Sequence, residues 1–492
     1  MRNLYLFFLL SILCLSACRS DFDAFQDHAL KLAEDGEIKP AEFDQLLNDI
    51  RKAKGSSFNR LFYDNGRLDT SKVANYLSKL YANKNIKIAP DGIWSSRASE
   101  RFGRSSRFNV NVYLENSASI DGYVNGSTTF KDAIYSLLGD ISINNYCDSL
   151  NLNYINKTVT FTRQMAGAAA IHDFIQTLTP DSFRRRGGNR GSSDLKEVMS
   201  TVLGRTNENN ASILVSDFVF SPGRRVNAHD YLAGQSIGIK VDFANKLKHF
   251  DLSVLAIQLI SDFAGYYYDQ MDKPTMMHCR RPYYIWIMGS RTQLRTIIKS
   301  GTIERIRAGY LHKLLIQGTR IPFAPNYKIL YADKIGAFRL PNSALGPITD
   351  ARASTQPRTR NKFGFHVAVD FSESLQDAAF FLDTTNYRHN DNYSLRAEQI
   401  SSNTADPSLK GFTHQLHLMT TALRPEKLTI SVKAGVPVWV KYTTSENDQR
   451  INSDLQEQQK TFGLQYVVDG MYDAFDQVYG NNAISSFDII IK

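Results

Sequence analysis

The chain has 492 residues, 42% of them hydrophobic, and carries 58 basic against 49 acidic side chains for a formal net charge of +9. Both signs are spread along the whole length, so the one-faced basic patch of a nucleic-acid binder is not expected. The length leaves room for two to three domains.

The first eighteen residues, MRNLYLFFLLSILCLSAC, place Arg2 before an apolar run from Leu4 to Leu13 and close on Leu15-Ser16-Ala17-Cys18. The run is too short to cross roughly 30 Å of hydrocarbon as a helix, and the charged, apolar, small-residue order is that of a secretory signal. A cysteine directly after Leu-Ser-Ala resembles a bacterial lipobox. The resemblance implies a signal peptide over 1–18, palmitate-type lipidation of Cys18 and a membrane anchor through that lipid. Asp21 and Asp23 follow, similar to the export signal of Bacteroidota surface lipoproteins, so an outer-membrane lipoprotein is expected, on the surface or the periplasmic face. Loss of Arg2 with the leader lowers the net charge to +8. Two thiols, Cys147 and Cys279, then remain besides Cys18. An exported location permits a disulfide between them, which spacing does not decide.

Residues 19–92 are expected to form a helical spacer. DGEIKPAEFDQLLNDI from Asp35 and NGRLDTSKVANYLSKL from Asn65 echo one another, and both resemble the back half of an EF-hand. With Gly36 sixth in a calcium loop, the first, third and twelfth positions are Lys31, Ala33 and Glu42; in the second copy they are Leu61, Tyr63 and Lys72. Only Glu42 supplies the required oxygen, so calcium binding is not expected there.

From about 105 to 325 the pattern alternates strands and helices: FNVNVYL, TTFKDAIYSLLGDI, LNYINKTVTF, AAAIHDFIQTL, SSDLKEVMSTVL, ASILVSDFVF, DLSVLAIQLI, PYYIWIMG and SRTQLRTIIKS. That alternation predicts an α/β domain with a doubly wound, mostly parallel sheet. Ser192 and Ser193, after Gly191, are expected to cap the helix that follows. In such a sheet, function sits at the carboxyl ends of the strands. Three loops there carry oxygen-bearing side chains: Glu115-Asn116-Ser117-Ala118-Ser119, Gly191-Ser192-Ser193-Asp194-Leu195, and Ser216-Asp217. Hard oxygen donors with open positions suit Mg²⁺ or Mn²⁺.

This stretch resembles a von Willebrand factor A-type (vWA) domain with its metal-ion-dependent adhesion site. That family carries D-x-S-x-S after the first strand, a threonine at a later helix start and an aspartate ending another strand. Here the corresponding residues are Glu115, Ser117 and Ser119, then Ser193, then Asp217. The resemblance implies that Ser117 and Ser119 bind the cation directly, that Ser193 joins or approaches it, and that Glu115 and Asp217 position waters. A partner carboxylate would fill the open position, giving adhesion rather than catalysis. Two residues depart from the pattern: Glu115 is one methylene longer than the usual aspartate, and Phe218 stands where glycine usually follows the last acid. The competing expectation is that the hydroxyls only cap helices and satisfy loop backbone. Asp121 is expected to be a solvated turn residue, and Arg184, Arg185, Arg186 and Arg190 a solvated loop.

Residues 326–492 are expected to form a β-sandwich-like domain from KFGFHVAVDFS, DAAFFLDTT, YSLRAEQI, THQLHLMTTAL, KLTISVKAG and VPVWVKYTT, interrupted by a helix at TFGLQYVVDGMYDAF. His414 and His417 fall on opposite faces of their strand and do not share a metal. GYYYD, residues 265–269, is a run of aromatics that either packs at a loop base or holds a sugar ring. No H-E-x-x-H helix or phosphate loop is present, and no G-x-S-x-G follows a strand in this pattern, so an enzyme is not expected. The leading expectation is a lipid-anchored envelope protein that binds a protein partner through a cation-dependent face. The alternative is a glycan-capture surface lipoprotein acting through the β-rich half, with a degenerate, metal-free vWA-like scaffold.

Overall fold

The computed structural model describes residues 21–33, 40–53, 58, 61–64, 67–68, 72–73, 76–77, 80–81, 107–191, 194–318, 323–340, 346–372, 374–401, 403–480 and 483–492. The leader with Cys18, and Ser192 and Ser193, lie outside these residues. The chain divides into two compact units, Met1–Arg107 and Phe108–Lys492.

In the first unit, α1 (Asp21–Leu32) and α2 (Pro40–Lys52) set acids in their first turns and bases in their last, which complements the helix dipole. Their apolar faces bury Phe25, Ala29, Leu46, Leu47 and Ile50 against Phe58, Phe62, Val73, Leu77 and Tyr81. Two short strands, β1 (Tyr63–Asp64) and β2 (Arg67–Leu68), pair antiparallel beside this core.

The second unit is built on a seven-stranded sheet. Its strands are β3 (Phe108–Glu115), β4 (Cys147–Ile155), β5 (Val159–Gln164), β6 (Asn210–Ser216), β7 (Leu252–Tyr268), β8 (Pro274–Ser290) and β9 (Tyr310–Gln317), in spatial order β5-β4-β3-β6-β8-β7-β9. One face, with Val110, Val112, Leu114, Ile213 and Val215, packs against Phe130, Ile134 and Leu137 of α4 (Thr129–Ile143) and Ile171 of α5 (Ala168–Gln176). The other face buries Tyr113 and Leu214 beneath α7 (Leu195–Arg205) and α8 (Ala228–Leu247). Between α5 and α7 lies the short α6 (Pro180–Arg185), and a one-turn helix, α3 (Asp121–Val124), follows the loop after β3. Helices on both faces of a central sheet make this an α/β fold.

The sheet is mixed. β4, β3, β6 and β7 run in one direction, but only the β4–β3 and β3–β6 pairings are parallel; β5–β4, β6–β8, β8–β7 and β7–β9 are antiparallel. The connections explain the difference from the expected winding. Tyr268 and Pro274 are too close in sequence for a helical crossover, so β7 and β8 must close as a hairpin. Similarly, LNYINKTVTF is no single strand: it reverses within a few residues into the antiparallel pair β4–β5.

The hairpin is long. β7 and β8 stay paired from Leu252↔Ser290 out to Tyr268↔Pro274, whereas β6 meets β8 only from Ser212↔Met288 to Ser216↔Tyr284. An arm formed by 260–268 and 274–282 therefore projects past the carboxyl end of β6. It packs on α3 so closely that a Cβ added to Gly265 would lie 2.7 Å from the Cα of Gly122. Only glycine permits that approach.

In the C-terminal half, β10 (Asn326–Ile335), β13 (Phe363–Asp370), β16 (His414–Thr420) and β15 (Tyr393–Gln399) form one antiparallel sheet in that order. A second joins β14 (Tyr387–Arg388), β17 (Glu426–Lys433) and β20 (Ala483–Ile491). Phe363, Phe365 and Val367 of the first share a core with Leu428, Ile430 and Ile489 of the second, a sandwich-like arrangement. Two expected strands are absent. DAAFFLDTT forms 3₁₀ turns at Ala378–Leu382 and Thr384–Asn386, where Asp383 caps the second turn. VPVWVKYTT forms a short helix at Val438–Tyr442, with Pro437 at its N-cap. The expected final helix runs over Leu464–Tyr479 and buries Leu464, Val467, Val468, Met471 and Phe475 in the core beneath α8, so this half contributes a helix to the α/β layer. Among the described residues no helix is long and apolar enough to cross a membrane.

Candidate metal centre

β3 and β6 are parallel neighbours, so their carboxyl ends bring Glu115 and Ser216-Asp217 to one edge of the sheet. The chain leaving β3 is fixed by its backbone: the Asn116 N–H donates to the Ile155 carbonyl at 2.6 Å, and the Ala118 N–H to the Arg190 carbonyl at 3.0 Å. Within that loop the Ser117 and Ser119 hydroxyl oxygens lie 3.0 Å apart. Ser119 also lies near enough to the Asp217 carboxylate to favour its ionised form. Two hydroxyls and one carboxylate of the expected set thus converge.

Glu115 is held differently. It is buried, and its carboxylate accepts the Ser216 hydroxyl, while Ser216 Oγ in turn accepts the Phe218 N–H at 2.8 Å. Ser193 lies outside the described residues. The helix after it is capped by Asp194, whose side chain accepts the Glu197 N–H at 3.2 Å; the cap expected at Ser192 and Ser193 is corrected to Asp194.

Phe218 holds φ at +55°. That left-handed conformation suits glycine and strains a bulky side chain. The ring is nevertheless fully buried, stacked on Trp286 with centroids 4.8 Å apart.

Asp217 is almost fully buried, and burial pushes its carboxyl up from the usual range, against the Ser119 hydroxyl and the Arg281 guanidinium. Arg281 sits in the arm at 1% exposure. It lies over the Tyr267 ring, 4.2 Å from the centroid, and donates to the carbonyls of Gln458 at 3.3 Å and Lys460 at 3.4 Å. Burial lowers the Arg281 pKa, but Tyr267, Tyr123 and Asp217 outweigh it and the net direction is up, so the side chain stays charged. The loop between Ser445 and Thr461 completes this wall, with Asp448 accepting the Tyr267 hydroxyl at 2.5 Å and the Gln270 N–H at 2.9 Å. Sequence reasoning missed Arg281. The available signal was its phase: counting back by twos from Ile287 through Ile285 and Tyr283 puts it on a core-facing stripe.

Two other expectations change. Asp121 and Arg190 form an ion pair at 2.5 Å with side chains 21% and 14% exposed, and Arg190 also donates to Asn116 Oδ1 and the Ser117 carbonyl at 3.0 Å each. Neither is a solvated loop residue; Arg190 braces the loop that carries the hydroxyls. In GYYYD, Tyr267 packs inside while Tyr266 is half exposed. Cys147 and Cys279 are not joined in a disulfide. The chain's G-x-S-x-G, Gly234–Gly238, lies inside α8 rather than at a strand-to-helix turn, so Ser236 is no nucleophile elbow.

The donor chemistry can be tested against a hard cation. Octahedral Mg²⁺ binds oxygen at about 2.0–2.1 Å, which sets neighbouring ligands about 3.0 Å apart. The Ser117–Ser119 separation fits, and Asp217 supplies the negative charge. Among the described residues no group of three or more His, Cys, Asp or Glu side chains is arranged to hold a metal, so any cation here depends on the hydroxyls. The chain matches no protein-family model, no curated protein and no solved structure.

Proposed function

We propose that this chain is a lipid-anchored envelope binding protein whose vWA-like α/β unit engages a protein partner through a cation-dependent face. The observation that carries the reading is the convergence of Ser117, Ser119 and Asp217 at the carboxyl ends of two parallel strands. The backbone at Phe218 adds support, because it adopts the conformation that the family's glycine supplies at that position. Ser117 and Ser119 would hold Mg²⁺ or Mn²⁺, with Asp217 balancing its charge. The bound cation supplies a Lewis-acid position for a partner carboxylate. Anchoring would be through lipid on Cys18 in the outer membrane.

One observation favours a second reading. Arg281 already places a buried positive charge within electrostatic reach of Asp217. In this reading the cluster is a metal-free scaffold, and glycan or protein capture falls to the β-rich half.

Calorimetric titration of Mg²⁺ and Mn²⁺ into the chain and into Asp217→Asn separates the two. Saturable one-to-one binding that the variant loses supports the cation-dependent face. Absence of heat in both, with the fold intact, leaves the metal-free reading.

A further inference from the structure

The polar outer face of the β10-β13-β16-β15 sheet carries a cluster unrelated to the sheet-end loops. His366 on β13 and His417 on β16 are direct cross-strand partners. Their rings lie 4.1 Å apart, and Nδ1 of His417 is 3.1 Å from Nε2 of His366. Of the outer nitrogens, that of His366 is hydrogen-bonded, and that of His417 has a carboxylate neighbour but no hydrogen bond to it. Nε2 of His417 lies 3.3 Å from Oε2 of Glu398, and Nδ1 of His366 lies 2.9 Å from the side-chain amide of Gln415. Glu398 and Gln415 are themselves register partners on adjacent strands, so the four side chains are held by the ladder.

The protonation states of this chain decide what it holds. With one proton shared between the inner nitrogens, His366 donates to His417 and the Gln415 amide donates to His366. Rotating the Gln415 amide presents its oxygen instead, an exchange that costs no backbone movement. The outer nitrogens then keep their protons, that of His366 towards Gln415 and that of His417 beside Glu398, and the two inner nitrogens are left with free lone pairs 3.1 Å apart. That is the outer-partner pattern of metal-bound imidazoles, in which the second nitrogen of each ring donates to a carboxylate or an amide oxygen. A metal bonded to two imidazole nitrogens at about 2.0–2.1 Å in tetrahedral geometry sets them about 3.3 Å apart, close to the 3.1 Å seen here.

We propose that His366 and His417 form an open, two-imidazole site for a divalent transition metal such as Zn²⁺ or Cu²⁺, with Glu398 and Gln415 as outer partners. Imidazole nitrogen selects these ions over Mg²⁺ and Ca²⁺. No third His, Cys, Asp or Glu closes the site among the described residues, so water or a group from a partner completes the coordination. His414 takes no part: it is buried on the opposite face, 3.0 Å from the Ala378 carbonyl.

The test titrates Zn²⁺ into the untagged chain and into His366→Gln, His417→Gln and Glu398→Gln, with thermal unfolding as the control for folding. The expected result is one ion per chain, lost in either histidine variant and weakened about 10- to 100-fold in Glu398→Gln. Equal binding by the native chain and both histidine variants overturns the proposal, as does no binding by the native chain. Cu²⁺ electron paramagnetic resonance on the native chain gives a second readout that needs no variant. Coupling to two nitrogens is expected, and a spectrum without nitrogen coupling overturns the assignment.

Discussion

Phe218 stacks on Trp286 with ring planes 15° from parallel while its backbone stays left-handed at φ +55°. The stacking holds a residue that the backbone disfavours, and it does so directly after Asp217. Phe218→Ala removes the ring and keeps the strain, at a cost of about 3–5 kcal/mol. Phe218→Gly removes both, and is expected to be about 1 kcal/mol more stable than the alanine variant. Chemical denaturation of the two side by side checks this, and an alanine variant as stable as the glycine one contradicts it.

Arg281 of the arm and Asp217 after β6 lie within electrostatic reach of each other. Arg281→Met takes the donor from the Gln458 and Lys460 carbonyls and the positive neighbour from the buried acid, and a loss of about 1–3 kcal/mol is expected. Adding Asp217→Asn to that variant should cost less than the same change in the native chain, with a coupling of about 0.5–3 kcal/mol. A double-mutant cycle by urea unfolding measures it; additive losses would show that the two side chains are independent.

Tyr267 and Asp448 join the arm to the loop before Thr461. Tyr267→Phe takes the hydroxyl proton from a carboxylate that is 1% exposed, which should cost about 1–3 kcal/mol. Hydrogen exchange at the Gln270 amide, the other donor to Asp448, is expected to quicken in the variant.

Much of this architecture was legible because its signals are short-range. Two-residue alternation marked β3 and β13, a near-continuous apolar run marked β6, and the order of Glu115, Ser117, Ser119 and Asp217 pointed to one sheet edge. Pairing was less legible. Whether β7 and β8 close on each other depends on what fills the gap between them, and the five residues 269–273 read much like any loop. Asp383 and Pro437 override strand-like runs through capping and backbone restriction, effects that hydrophobic pattern does not carry. Arg190 and Arg281 were missed for one reason: their partners, Asp121 and Asp217, lie far away in sequence and meet them only after folding.

Burial lowers the pKa of His414, with the Ala378 carbonyl opposing it. The folded chain therefore binds fewer protons than the unfolded chain, whose histidine titrates near 6.5. Stability from this group is complete above about pH 6.5 and is lost as pH falls through that value towards the lowered one. His366 and His312 shift in the same direction, also through burial. The urea midpoint is expected to fall between about pH 7.5 and 5.5, and to fall less steeply in His414→Gln. A slope unchanged by the substitution would contradict this assignment.

The most direct measurement of the central claim is the Mn²⁺ electron paramagnetic resonance signal of the free ion, followed as the chain is added. The account predicts that each equivalent of chain removes one equivalent of free Mn²⁺, and that the Ser117→Ala, Ser119→Ala double variant removes none. A free-ion signal untouched by the folded native chain would contradict it, leaving Arg281 as the cation of that cluster.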